Sequence, residues 1–170
     1  MSAACPRERA RGYARVRLFG GLLAMLALAG CEAFQREPVA LFPEDLGPDA
    51  LAYEQLAAYP PEQQANYVVF AQRCSKCHTP ARPLNSQYAS RQMWARYVTK
   101  MWRKTGSGIS QQDAKRIIEF LVYDSGVRKL GRREEFEAHR RALFDEFKAK
   151  DPRAFDALYG TDADSAIRLR

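Results

Sequence analysis

Between Glu62 and Asp124 the chain repeats apolar residues at helical spacing three times. Tyr67, Phe70, Ala71 and Cys74 fall at i, i+3, i+4 and i+7, which predicts a helix whose apolar stripe ends on a cysteine. Trp94, Tyr97, Val98, Met101 and Trp102 share one face of a second helix predicted over Arg91–Lys104, and the glycines of Thr105-Gly106-Ser107-Gly108 end it. Ser110 opens a third helix, with Asp113 three residues on in a capping-box arrangement. Its apolar face is Ala114, Ile117, Ile118, Leu121 and Val122. No strand-like alternation stands out, so the expected class is all-α.

The flanks read differently. From Glu32 to Pro61 the chain is acidic and punctuated by Pro38, Pro43, Pro48, Pro60 and Pro61. That composition predicts a tether with a short helix near Asp49–Ala58, or else a segment packed on the domain, its negative charge against the positive one. Beyond Gly126 the chain is highly charged. Phe136, Leu143, Phe144 and Phe147 form a narrow apolar stripe on a helix predicted near Arg132–Lys150. Asp151-Pro152 then starts a short helix bearing Phe155, Leu158 and Tyr159, and Gly160 stops it. This tail is expected to pack as a helical extension on the domain or on a partner, with His139 at its surface and the last ten residues frayed.

The chemistry gathers at Cys74-Ser75-Lys76-Cys77-His78. C-x-x-C-H is the attachment signature of a c-type haem. Its two thiols each bond a vinyl group of one porphyrin, and the histidine after them is held beneath the iron as the proximal ligand. One covalent haem c is therefore the expected cofactor. Some sixty residues make a marginal core, and a buried porphyrin supplies the missing apolar surface, so the domain without haem is expected to be largely unfolded. A thioredoxin-like use of Cys74 and Cys77 is disfavoured, because His78 follows directly and no strand–helix alternation surrounds the motif.

For the other axial position the candidates are Met101 and Met93. Met101 lies about 20° from Trp94 around the helix, near the middle of the apolar stripe, whereas Met93 points about 100° away. The phase favours Met101 facing the iron, although both methionines could simply fill core space.

The first thirty residues have their own logic. Arg7, Arg9, Arg11, Arg15 and Arg17 precede an apolar run, Leu18 to Ala29, that is too short to span a bilayer comfortably. It ends in Leu28-Ala29-Gly30-Cys31, which resembles a bacterial lipobox, in which cleavage before the cysteine leaves it lipidated. The alternatives are an ordinary signal peptide cut near Gly30 or an uncleaved anchor. The four cysteines are then accounted for: Cys5 is discarded, Cys31 takes lipid, Cys74 and Cys77 take haem, and none remains for a disulfide. Haem c is attached on the exported side of a membrane, so the two motifs support each other.

Charge follows the same division. The net charge is +7, but residues 1–30 carry +4 of it. Residues 31–61 carry −5, 62–124 carry +6 with ten basic and four acidic side chains, and 125–170 carry +2. Most of the excess thus lies in a segment expected to be removed, and nucleic-acid binding is rejected.

Residues 62–124 resemble the small class I, single-haem cytochromes c. The resemblance rests on a helix entering C-x-x-C-H, then Trp94-x-x-x-Val98-x-x-Met101, then a polar turn with Ser110 and a helix ending in Phe120-Leu121. It implies three main helices around one haem, with Met101 as distal ligand. It further suggests Trp94, Arg82 or Arg91 beside the propionates, and the carbonyl of Pro80 or Pro83 orienting His78. The expected organisation is a lipoprotein signal peptide over 1–30, the tether over 31–61, a cytochrome c domain over 62–124 and the helical extension over 125–170. The function this implies is single-electron transfer between protein redox partners, which the basic balance of residues 62–124 suggests are acidic, by a carrier lipid-anchored in a bacterial envelope and facing the periplasm. No enzymatic activity and no small-molecule substrate are expected. The alternatives are an electron-transfer subunit fixed in a larger complex, or an open-site haem sensor or peroxidase.

Overall fold

The computed structural model of the protein describes residues 41–170, which lie within one contact unit, Pro38–Arg170. The leader and Cys31 lie outside the described residues. Every regular element described is helical: α1 Tyr53–Ala57, α2 Pro61–Cys74, α3 Ala81–Leu84, α4 Arg91–Trp102, α5 Gln111–Asp124, α6 Arg133–Lys150, α7 Pro152–Leu158 and α8 Ala163–Ile167. A 3₁₀ turn over Pro43–Leu46 precedes them, and a π-helical stretch over Ser125–Leu130 joins α5 to α6. None of these helices is long and apolar enough to cross a membrane.

Local chemistry sets the helix ends. Pro61 occupies the first turn of α2, where its missing N–H costs nothing. Ser90 caps α4, and Ser110 and Asp113 close a reciprocal capping box on α5 at 3.0 Å each. The core forms where α5 packs on α2 and α4. Phe70, Trp94, Val98, Ile117, Phe120 and Leu121 are buried there, and the Phe70 and Phe120 rings lie 5.0 Å apart. Trp94 donates its indole N–H to Ser125 Oγ at 2.9 Å. Trp102, placed on the apolar face by sequence, is instead 38% exposed, because α4 ends there and the chain turns away.

The acidic segment is packed over residues 41–61. Asp45 takes Arg82 in a two-point ion pair at 2.9 and 2.6 Å, and Tyr59 donates to Asp124 at 2.9 Å. The tail packs on the same body. Phe144, Phe147, Phe155 and Ile167 form a second apolar cluster that also takes Leu46.

Two tail expectations are corrected. The last ten residues are ordered: Ile167 is buried, and the Arg170 backbone bonds Gln87 and Ala89 at 3.0 and 2.9 Å. His139 is half-buried, its Nε2 3.2 Å from Asn85 Oδ1. Charge is not confined to the surface, since Lys129 and Arg140 are both fully buried. Arg140 binds Glu44 and the carbonyls of Asn85, Ala166 and Ile167, joining the N-terminal strap to the C-terminus.

Candidate haem-attachment site

The apolar stripe of α2 delivers Cys74 to the end of the helix, and the turn after it carries Cys77 and His78. Cys74, Cys77, His78 and Met101 line one cavity of about 40 Å³, with Arg73, Tyr97, Lys104, Ser107 and Ile109 completing its wall. Met93 is not on that cavity; it lines a neighbouring one of about 350 Å³, which Met101 and Tyr97 share. A third cavity of about 250 Å³ is lined by Tyr97 and Tyr88 together with Arg82 and Gln87. Tyr97 therefore stands where all three meet.

The cysteines differ in state. Cys77 is exposed, whereas Cys74 is largely covered, and burial with Cys77 beside it pushes its thiol up to about 12. A protonated Cys74 is a poor partner for dithiol exchange. His78 Nδ1 sits 3.0 Å from the carbonyl of Thr79. That contact requires the proton on Nδ1 and leaves the lone pair on Nε2, the tautomer a metal-binding imidazole needs. The carbonyls suggested for this role are engaged elsewhere: Pro80 accepts from Leu84 N–H at 3.2 Å, and Pro83 from Lys129 Nζ at 3.2 Å.

Two of the suggested propionate partners also have other occupations. Trp94 is bonded to Ser125, and Arg91 is paired with Glu119 at 2.8 and 2.7 Å. Arg82 pairs with Asp45 yet lines the third cavity. Tyr97 is the site residue that sequence reading left among core positions. Its hydroxyl is buried and has no partner among the described residues, and burial, with Cys74 beside it, holds it above the usual tyrosine range. The available signal was its place four residues before Met101, on the same helix face.

The donor set suits a haem. Among the described residues no group of three or more His, Cys, Asp or Glu could cage a metal ion. What converges is two thiols, one imidazole and one thioether, the set that grips a macrocycle by its rim and its iron. The 40 Å³ cavity is too small for a porphyrin. Its two neighbours, of about 350 and 250 Å³, are separate cavities that share the Tyr97 side chain with it. Residues 103–106, of which Lys104 lines the cavity, are exposed, while α2 and α4 are fixed by Phe70, Trp94 and Val98. No family model, curated protein or solved structure matches this chain.

Proposed function

We propose that the chain is a c-type cytochrome that carries single electrons between protein partners, held by lipidated Cys31 on the exported face of a bacterial envelope. The observation that carries this reading is that Cys74, Cys77, His78 and Met101 line one cavity. Cys74 and Cys77 would hold the haem through thioethers, with His78 and Met101 on the iron. When bound, the group supplies a one-electron iron couple, which methionine ligation biases towards high potential.

The chain's own residues position and insulate that couple. Thr79 fixes the His78 ring, and the covered wall of Tyr97 and Ile109 limits water. With both His78 and Met101 holding the iron, no position would be left open for a substrate, which favours electron transfer over an open-site sensor or peroxidase. The tail stripe that suggested a subunit docked in a larger complex is covered within the chain: Phe136, Phe144 and Phe147 are buried. Arg96, Lys100, Arg103 and Lys104 are exposed beside the cavities, and no acidic residue occurs from Gln87 to Gln112. That face fits an acidic redox partner.

The test is spectroscopic. A pyridine haemochrome of thioether-linked type is expected from the purified protein. The ferric form should show a sulfur-to-iron charge-transfer band that Met101→Ala abolishes and Met93→Ala keeps. A protein matured in a haem c-competent host that carries no covalent haem sinks the proposal.

A further inference from the structure

Tyr97 is a wall that three cavities share. It lines the 40 Å³ cavity with Cys74, Cys77 and His78, the 350 Å³ cavity with Met93, Arg96, Lys100 and Met101, and the 250 Å³ cavity with Phe42, Arg82 and Gln87. Its ring meets Tyr88 and Trp94 edge to face, at 5.9 and 5.8 Å between centroids. The helix beneath it is fixed, because Trp94 and Val98 are buried in the core.

The Tyr97 hydroxyl gains nothing where it lies. It is sealed off from solvent and has no partner among the described residues. An unpaired buried hydroxyl raises the energy of the conformation that buries it, and native proteins keep few of them. The 350 Å³ cavity offers what that position lacks. Arg96 and Lys100 on its wall are exposed, and both can donate to a phenolic oxygen. Lys100 stands three residues on from Tyr97, hence beside it on the surface of α4. A change of side-chain rotamer therefore carries the hydroxyl towards these donors without moving the helix.

The two thiols do not depend equally on such a turn. Cys77 is exposed, whereas Cys74 is largely covered and has Tyr97 on the wall of the same cavity. We propose that Tyr97 is a gate over Cys74, whose turn into the 350 Å³ cavity uncovers the thiol and makes Cys74 the second of the two cysteines to bond the haem. The order of bonding rests on the haem reading above; the gate does not. Each bond forms by addition. The sulfur joins the inner carbon of a vinyl group, the thiol hydrogen goes to the outer carbon, and the double bond becomes single, with no oxidant or reductant consumed. Tyr97 is a positioning residue that sets when Cys74 is reached.

The test has two arms, both on the full chain. In protein prepared without haem, iodoacetamide labelling of each cysteine is followed by peptide mass. Tyr97→Phe keeps the ring and removes the unpaired hydroxyl, which favours the closed position. Its Cys74 is expected to react about tenfold more slowly than in wild type, equivalent to about 1.4 kcal/mol. Tyr97→Ala removes the gate and is expected to raise the Cys74 rate to about that of Cys77. The Cys77 rate should hold in both variants. A Cys74 rate in Tyr97→Phe equal to or above wild type overturns the gate. So does a Val98→Ala core truncation that speeds Cys74 as much as Tyr97→Ala does, since opening is then global. Should Tyr97→Ala fail to fold, Tyr97→Phe against wild type carries the comparison. In the second arm, chain matured in a haem c-competent host is digested and the linkage read by mass. Tyr97→Phe is expected to accumulate haem bonded through Cys77 alone. Accumulation through Cys74 alone, or no singly bonded species, overturns the order. Absence of covalent haem from the wild type defeats the haem reading and the order with it, while the labelling rates still judge the gate.

Discussion

Cys74 and Cys77 sit three residues apart, yet the structure gives them different reactivities. Cys77 is exposed, while burial beside Cys77 lifts the Cys74 thiol to about 12. Because the thiolate is the nucleophile, this rise leaves Cys74 far less reactive than an open thiol at neutral pH. In chain prepared without haem, iodoacetamide should therefore label Cys77 well before Cys74, as read by peptide mass. Equal labelling rates would show that Cys74 is open. The sign for stability follows: the folded state keeps the Cys74 proton between about 9 and 12, so this thiol's contribution is intact below pH 9 and is lost as pH rises through that window. Lys129 presents a separate residue-scale problem. Its Nζ donates to the carbonyls of Ser86, Tyr88 and Pro83 at 2.9, 3.0 and 3.2 Å, and it lies 4.8 Å from the Trp94 ring. Desolvation pulls its pKa well below the ordinary lysine value, while three acceptors favour the ammonium. Lys129→Met keeps the bulk and strands those carbonyls, so a loss of about 3 kcal/mol is expected in urea denaturation. A change under about 0.5 kcal/mol, the range of an ordinary surface substitution, would show that the carbonyls find other partners.

At the scale of elements, the capping of α5 reaches the site. Ser110 and Asp113 form the capping box, and Asp113 also pairs with Arg73 at 3.1 Å, which lines the cavity beside Cys74. Ser110→Ala is expected to cost about 1 kcal/mol of stability, measured as a lowered urea midpoint with an unchanged slope. An unchanged midpoint would mean that the box contributes nothing. This box was legible in the sequence because capping is a local pattern of residue types, and the stripes of α2, α4 and α5 were legible because amphipathic periodicity is local too. The tail shows where that legibility ends. The stripe of Phe136, Leu143, Phe144 and Phe147 announced an apolar face but not what covers it, since Leu46 and Ile167, which pack with Phe144 and Phe147, lie far away in sequence. No local pattern marks Arg140 and Lys129 as buried; only the meeting of distant carbonyls makes their burial tolerable. Within the candidate site, spacing brought Cys74, Cys77 and His78 together, and helix phase pointed to Met101. The carbonyl on His78 depends on loop geometry that no periodicity encodes, and helix phase places Tyr97 beside Met101 without showing that its hydroxyl lacks a partner among the described residues.

Across the whole molecule, the premise of a sixty-residue core changes. Residues 41–61 and 125–170 add a second apolar cluster and a set of cross-chain bonds, and a domain of this larger size buries a greater fraction of its surface. A Cys74→Ala/Cys77→Ala chain is accordingly expected to keep a cooperative thermal transition, at lower temperature than the haem-bearing protein. Loss of any transition would restore the earlier expectation of a haem-dependent fold. Charge is also a property of the whole surface. The acidic strap spends Glu44 and Asp45 on internal pairs with Arg140 and Arg82, so these carboxylates do not reach over to neutralise α4. Arg91 is held by Glu119, leaving Arg96, Lys100, Arg103 and Lys104 exposed around the cavities as a positive face with no ion pair among the described residues. Such a face speeds encounter with an acidic partner through a long-range field, and salt removes that advantage as the Debye length falls from about 30 Å at 0.01 M to about 8 Å at physiological ionic strength. Stopped-flow reduction by an acidic redox protein should therefore slow about tenfold over that range. The Lys100→Glu/Arg103→Glu protein should start slow and lose most of the salt dependence, with its haem spectrum unchanged. A wild-type rate indifferent to salt would remove α4 from the docking surface and leave its positive charge as a solvated face.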